Sequence, residues 1–279
     1  MTTQPVTPIE VVDLLPVLDR KLIELLKSLT PEEWQVQTVA KPWTVKDVAA
    51  HLLDGNIRIL SMLRDNYQGE HPVSNSYQDL IDFLNRLNAD WVKAMKRVSP
   101  PMLILLHELT GPAFCDYYKS LHPFDKAAFA VNWAGEAESK NWMHIAREYT
   151  EKWLHQQQIR DAVNKPGLMT RELCYPFMDI FMLALPYTYR CVEAENGTTI
   201  KVTVTTSIGG SWYLTRNDSN WILSKDSSLP LTTEFLIDPD TAWKLFSKSL
   251  RPEQIRNTVT VVGEQQLAEA VLSMVSVMA

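Results

Sequence analysis

The chain is poor in the residues on which several large protein classes depend. Its nine glycines in 279 residues build no phosphate-cradling loop, no GxSxG elbow and no dinucleotide fingerprint. The three cysteines, Cys115, Cys174 and Cys191, are odd in number and widely spaced. That fits neither a disulfide framework nor a CxxC metal knuckle, and small buried apolar residues are expected instead. Lysines and arginines are scattered, and the net charge is -6 with a pI near 5.6. No basic run tracks a nucleic-acid backbone. No apolar stretch reaches the roughly 20 residues that span a bilayer. The opening MTTQPVTPIEVVD lacks the basic and apolar regions of a secretory signal. The expectation is a reduced, cytoplasmic protein with neither a nucleic-acid nor a membrane partner.

What is present changes character near the middle. "IEVVDLLPVLDRKLIELLKSL" repeats apolar residues at three- and four-residue steps, the mark of an amphipathic helix. A second helix opens at Thr44 with Asp47 as its capping-box partner. "SYQDLIDFLNRLNADWVKAMKRV" reads as a third. "SPPMLILLHELTGPAFCDYYKSL" reads as a fourth, bent or broken at Gly111-Pro112. A fifth runs from Asn141 to Val163 and stops at Asn164-Lys165-Pro166-Gly167. Long helices without strand signals predict an antiparallel bundle over residues 1–166. Beyond it, "TIKVTVTTS", "SWYLTR", "WILSK", "TTEFLID" and a shorter "TVTVV" are rich in β-branched and aromatic residues and separated by turn signals. One helix precedes them and two, "DTAWKLFSKSL" and "GEQQLAEAVLSMVSVMA", lie near the end. Residues 167–279 therefore read as an α+β domain, with the linker around 164–170.

Chemistry-bearing side chains concentrate on the fifth helix. His144, Glu148, Glu151 and His155 fall on one narrow stripe at 100° per residue. They make two metal-like pairs at i, i+4, His144/Glu148 and Glu151/His155. One ion cannot use all four, because His144 and His155 lie about 16 Å apart along the axis. Trp142, Tyr149 and Trp153 occupy the opposite face, and if that face is the buried one the stripe is a solvated surface. On the helix after Thr44, His51 sits at the rim of the apolar face, and Gly55 one turn on leaves space above its imidazole. His71, His107 and His122 receive no role.

Three stretches carry a resemblance. "LTPEEWQVQTVAKPWTVKDVAAHLLDG", "EKWLHQQQI" and "VVGEQQLAEAVLSMVSVMA" resemble the mycothiol-dependent maleylpyruvate isomerase family. The resemblance implies a DinB-like antiparallel four-helix metal-binding bundle followed by a small sterol-carrier-like α+β domain. It implies His51, Glu151 and His155 as the ligands of a divalent metal, most simply zinc, and so selects the second pair over the first. It further implies a low-molecular-weight thiol, held at the metal and deprotonated near neutral pH. That thiol adds to a cis-unsaturated diacid, and its loss after bond rotation gives the trans isomer; without rotation the same machinery is an S-transferase. An anionic substrate calls for a cationic clamp. Arg251 is the nearest candidate, but the family's Gly-Arg ending is absent. Two other classes stay open: a binding protein for an apolar or anionic small molecule with a structural metal, and a scaffold that kept the fold without the chemistry.

Overall fold

A computed structural model describes residues 7–41, 43–70, 72 and 76–277, with Tyr77 described by its backbone alone. His71 lies outside the described residues. The chain divides into two compact units, one comprising residues up to Ala128 plus Lys140–Leu168, the other Phe129–Ser139 plus Met169–Ala279.

The first unit is helical: α1 (Leu15–Lys27), α2 (Val45–Ile59), α3 (Tyr77–Met95), α4 (Pro100–Lys119) and α5 (Asn141–Ala162). Three of these helix starts have a side-chain cap. Asp47 Oδ2 accepts from the Thr44 backbone N–H at 3.1 Å and from its hydroxyl at 2.9 Å, which fixes the first turn of α2. Ser76 and Ser99 cap α3 and α4 by accepting from Asp79 N and Met102 N. Leu22, Leu25 and Leu26 of α1, Trp34, Val48 and Leu52 of α2, Leu103 of α4 and Ile159 of α5 form one buried cluster.

One expectation about these helices fails. α4 runs unbroken through Gly111-Pro112. Pro112 is exposed, and the Asp19 carboxylate of α1 lies 2.1 Å from where a Gly111 Cβ would stand. The glycine thus serves a close helix approach, not a break. The open question about α5 is also decided: its stripe is not a solvated face, although Glu151 on it is partly exposed. His144 and Glu148 are as buried as Trp142, Tyr149 and Trp153, because neighbouring elements cover α5 on both faces.

His107 of α4 is fully buried, and its Nε2 lies 2.9 Å from the Ala49 carbonyl of α2, to which it donates. Burial pushes its pKa down to about 4, outweighing the Ala49 hydrogen bond. The unfolded chain takes up this proton near pH 6.5 and the folded protein only near 4. The stability held above pH 6.5 is therefore lost as pH falls between those values, about 3 kcal/mol by pH 4. Urea unfolding at pH 7.5 and pH 4 is expected to show that loss, and His107→Gln to lose correspondingly less.

The second unit begins with α6 (Arg171–Met182) and α7 (Leu185–Thr188). Strands β1 (Thr199–Val204), β2 (Gly210–Asn217), β3 (Asn220–Ser224) and β4 (Thr233–Ile237) follow. After α8 (Pro239–Phe246) and α9 (Pro252–Ile255) come β5 (Thr260–Gly263) and α10 (Gln265–Leu272). The sheet is mixed, in the order β3-β2-β1-β4-β5, with β1 and β4 parallel and the other neighbours antiparallel. Ile200, Val202, Val204, Trp212, Leu214, Phe235 and Ile237 are buried at alternate positions. α10 stops at Leu272, short of the helix expected to run through the C-terminus. Ser276 instead bonds Phe181 O through its hydroxyl and Phe246 O through its N–H.

The excursion of residues 129–139 into this unit had no sequence signal. Trp133 packs edge-on to Phe181 at 6.4 Å, and Gly135, at a φ of 82°, lies under the Tyr187 ring. Cys115 and Cys174 are buried, with burial pushing each thiol up to about 12. Cys191 is exposed, which corrects the expectation for that residue. No helix among the described residues is long and apolar enough to cross a membrane.

Candidate metal centre

The first unit brings His51, Glu151 and His155 together: one ligand-type atom from each lies within 4.8 Å of the others. His51 Nε2 is 3.0 Å and His155 Nε2 3.1 Å from the same Glu151 oxygen, Oε1. Helical spacing aligns Glu151 with His155, and helix packing supplies His51. Lys152 adds a polar tie to that packing. It points about 100° away from Glu151 around α5 and donates to the Leu52 carbonyl at 3.1 Å and to Asn56 Oδ1. Its ammonium also lies 4.4 Å from the centre of the Phe114 ring. α5 is thus tied to α2 at the residue beside His51. At Gly55 the Lys152 Nζ is 3.8 Å from where a Cβ would stand, an ordinary van der Waals contact. The space is not kept open above the imidazole.

The surroundings of the two histidines differ. His155 Nδ1 is 2.8 Å from Gln158 Oε1 and donates to it. That fixes the tautomer, so the Nε2 lone pair faces the Glu151 carboxylate. A lone pair set against an anionic oxygen is repulsive unless a cation, either a proton or a metal, lies between them. Among the described residues His51 Nδ1 is buried without a hydrogen-bond partner, and the Trp43 ring lies 4.8 Å from the His51 ring and 6.3 Å from the His155 ring. Trp43 is held by its own carbonyl, which accepts from Thr38 N, Thr38 Oγ1 and Gln37 Nε2. Gln158 was readable in the sequence, since it lies three residues after His155 on the same face; Trp43 was visible only as one of several tryptophans.

Burial, then the charge of His155, lowers the His51 pKa to about 4 against the opposing pull of Glu151. For His155, burial pulls down, but the charge and hydrogen bond of Glu151 and the bond to Gln158 prevail, and its pKa is raised. Desolvation pushes the Glu151 carboxyl up, and the two histidines more than reverse it, holding the group well below the usual carboxylate range. The Glu151 side chain keeps 42% of its surface exposed. Solvent weakens both influences there, and it gives the triad an open side.

The other pair is already occupied with itself. His144 Nε2 lies 3.6 Å from Glu148 Oε1, Arg147 binds that same carboxylate and reaches His144 Nε2 at 2.9 Å, and Tyr118 packs edge-on to His144. Among the described residues no third acidic, thiol or imidazole side chain joins these two as a ligand set. Arg251 is exposed at the head of α9 in the second unit.

A helical unit with two imidazoles and a carboxylate converging from two helices, followed by a five-stranded mixed-sheet unit, defines a class of two-part proteins with a candidate metal centre in the helical part. Residues 15–160 match the model of the mycothiol maleylpyruvate isomerase N-terminal domain, and the chain belongs to that family. Two solved structures share its fold at 12% identity, each covering 95% of this chain and 97% of the other. They are the mycothiol-dependent maleylpyruvate isomerase, with a TM-score of 0.56, and a histidine-to-alanine variant of it, with a TM-score of 0.55. No protein of curated function matches the sequence.

Proposed function

We propose that the protein is a divalent-metal enzyme that uses a low-molecular-weight thiol, of the maleylpyruvate-isomerase or thiol S-transferase type. The observation that carries this reading is the convergence of both Nε2 atoms on Glu151 Oε1 beside an exposed edge. Two neutral nitrogens and one carboxylate oxygen suit zinc and leave coordination positions for a small molecule. His51, Glu151 and His155 hold the metal, which when bound lowers the pKa of a thiol enough to give thiolate near neutral pH. Gln158 fixes the tautomer of His155, and Trp43 shields the histidine side of the site. The thiolate sulfur adds to one carbon of an activated double bond while the neighbouring carbon takes a proton. Rotation, then loss of that proton and of the thiol, gives the trans isomer. Family membership supports the thiol, with mycothiol the first to try. The α+β unit is read as sterol-carrier-like, the domain boundary as lying near residue 166, and a reducing cytoplasm suits the three free cysteines.

The test is spectroscopic. Cobalt-substituted protein is expected to change its visible absorption when mycothiol is added, with a new sulfur-to-metal charge-transfer band. Cobalt uptake without any thiol-induced change would favour the binding-protein reading, in which the metal is structural.

A further inference from the structure

α4 carries apolar residues on two opposite faces. Leu103, His107, Gly111, Phe114 and Tyr118 point inward and are buried. At 100° per residue, Met102, Leu105, Leu109, Pro112 and Asp116 fall on a stripe roughly 180° away from them. All five are exposed, Leu109 to 65%, Met102 to 48% and Leu105 to 44%. The outer faces of two other helices in this unit are charged instead, with Arg20, Glu24 and Lys27 on α1 and Asp82, Arg86 and Asp90 on α3. A surface helix ordinarily turns such a polar face to water, and one that is apolar on both sides has a second surface to cover. The five positions step by three, four, three and four residues, the spacing of a seam between two helices. Together the three large side chains leave roughly 300 Å² of apolar surface in water, the size at which patches on a monomer are often functional.

We infer that this stripe is the contact of a twofold dimer, in which α4 packs antiparallel against α4 of a second copy of this chain. The charges select both the partner and the direction. With the axis level with His107, Met102 meets Pro112, Leu105 meets Leu109, and Asp116 meets the residues just before the partner copy's α4. There its carboxylate finds the positive end of a helix and the exposed Arg97. A parallel pair would set Asp116 against Asp116. Glu108 flanks the stripe on the α1 side, and Lys27 lies 2.5 Å from it, so the two copies of this carboxylate do not meet uncompensated. The same patch on both copies then closes the assembly at two. A lipid surface fits less well, because an interfacial helix sets lysines and arginines around its apolar face. The charged residues of α4 are Glu108, Asp116 and a lysine, Lys119, that is paired with Asp13. A standard interface takes about 800 Å² from each partner, so the stripe is its apolar centre and the affinity is modest, in the micromolar range. The inference does not depend on the metal or the thiol.

The experiment is sedimentation velocity on the full-length protein from about 1 to 300 µM, a range that brackets a micromolar Kd. The native protein is compared with Leu109→Glu, with Leu105→Lys and with an equimolar mixture of the two, and the unfolding midpoint of each variant is measured. The native protein is expected to pass from monomer to dimer within this range. Each variant alone is expected to dimerise at least about tenfold more weakly at an unchanged midpoint, because it buries a charge at the centre of the contact. The mixture is expected to regain much of the loss, since the antiparallel register sets the new glutamate of one copy against the new lysine of the other. A parallel pair sets 105 against 105 and 109 against 109, and gains nothing on mixing. A native protein that stays monomeric throughout would overturn the inference, as would native dimerisation in a folded Leu109→Glu or a mixture no better than its components. Monomers that bind phosphatidylcholine vesicles, and lose that binding in Leu109→Glu, would assign the stripe to lipid and overturn it too. Should Leu109→Glu fail to fold, native dimerisation in Leu105→Lys would count as the same contradiction.

Discussion

His155→Ala and Glu151→Gln are each expected to lower zinc affinity a hundredfold or more, whereas His144→Ala leaves it unchanged. Loss of a supporting outer partner alone costs ten- to a hundredfold. Loss of a direct ligand exceeds that, at least about 3 kcal/mol. The contrast follows from geometry: His155 Nε2 faces Glu151 with its other nitrogen committed to Gln158, while His144 shares Glu148 with Arg147. Gln158→Ala is expected to fall between, since it frees the His155 ring without removing a ligand. Competition with a chromophoric chelator at pH 7.5 reads all four variants on one scale. Unchanged affinity in His155→Ala with a large loss in His144→Ala would move the site about two turns back along α5.

The second large effect concerns folding. Arg160 is 8% exposed, yet no carboxylate bonds its guanidinium among the described residues. Instead it donates to Gln156 Oε1 through Nε and Nη2, to Lys165 O and Pro166 O through Nη1, and to Lys21 O through Nη2. One side chain thus closes the end of α5, fastens the turn after it and ties α5 to α1. A Cβ on Gly167 would stand 2.5 Å from Arg160 Nη1, so the backbone there is shaped around the arginine. Arg160→Ala strands several buried carbonyls at once and is expected to cost about 3 kcal/mol or more. It should lower the unfolding midpoint of the helical unit by about 10 °C. Arg160→Lys recovers only part, because one ammonium cannot reproduce the fork. Both variants are expected to take up zinc normally well below their midpoints, which separates this effect from loss of a ligand. A midpoint within 2 °C of the native protein would show that water replaces these bonds at little cost.

Local features were legible where the responsible residues are close in sequence. Thr44 and Asp47 announce the start of α2, and the texture change after Gly167 announces the sheet. The pairing of Glu151 with His155 follows from helical spacing, but His51 joins them from 100 residues away. Spacing cannot supply such a partner, and only the resemblance named it. The wheel left α5 undecided because it assumes that one face is wet. With covering elements on both sides, tryptophans opposite histidines no longer say which is inside. Gly55 was misread for a similar reason, since the side chain that lies over it, Lys152, comes from another helix. Residues 129–139 carry no periodicity, and the packing of Trp133 and Tyr187 decides where they go.

The central claim is that His51, Glu151 and His155 hold one divalent metal, and metal analysis with X-ray absorption on the full-length protein tests it most directly. Protein purified without chelator is expected to carry close to one equivalent of metal, bound through two imidazoles and oxygen at roughly 2.0–2.2 Å. No metal in the purified protein and none retained after reloading with zinc would contradict it.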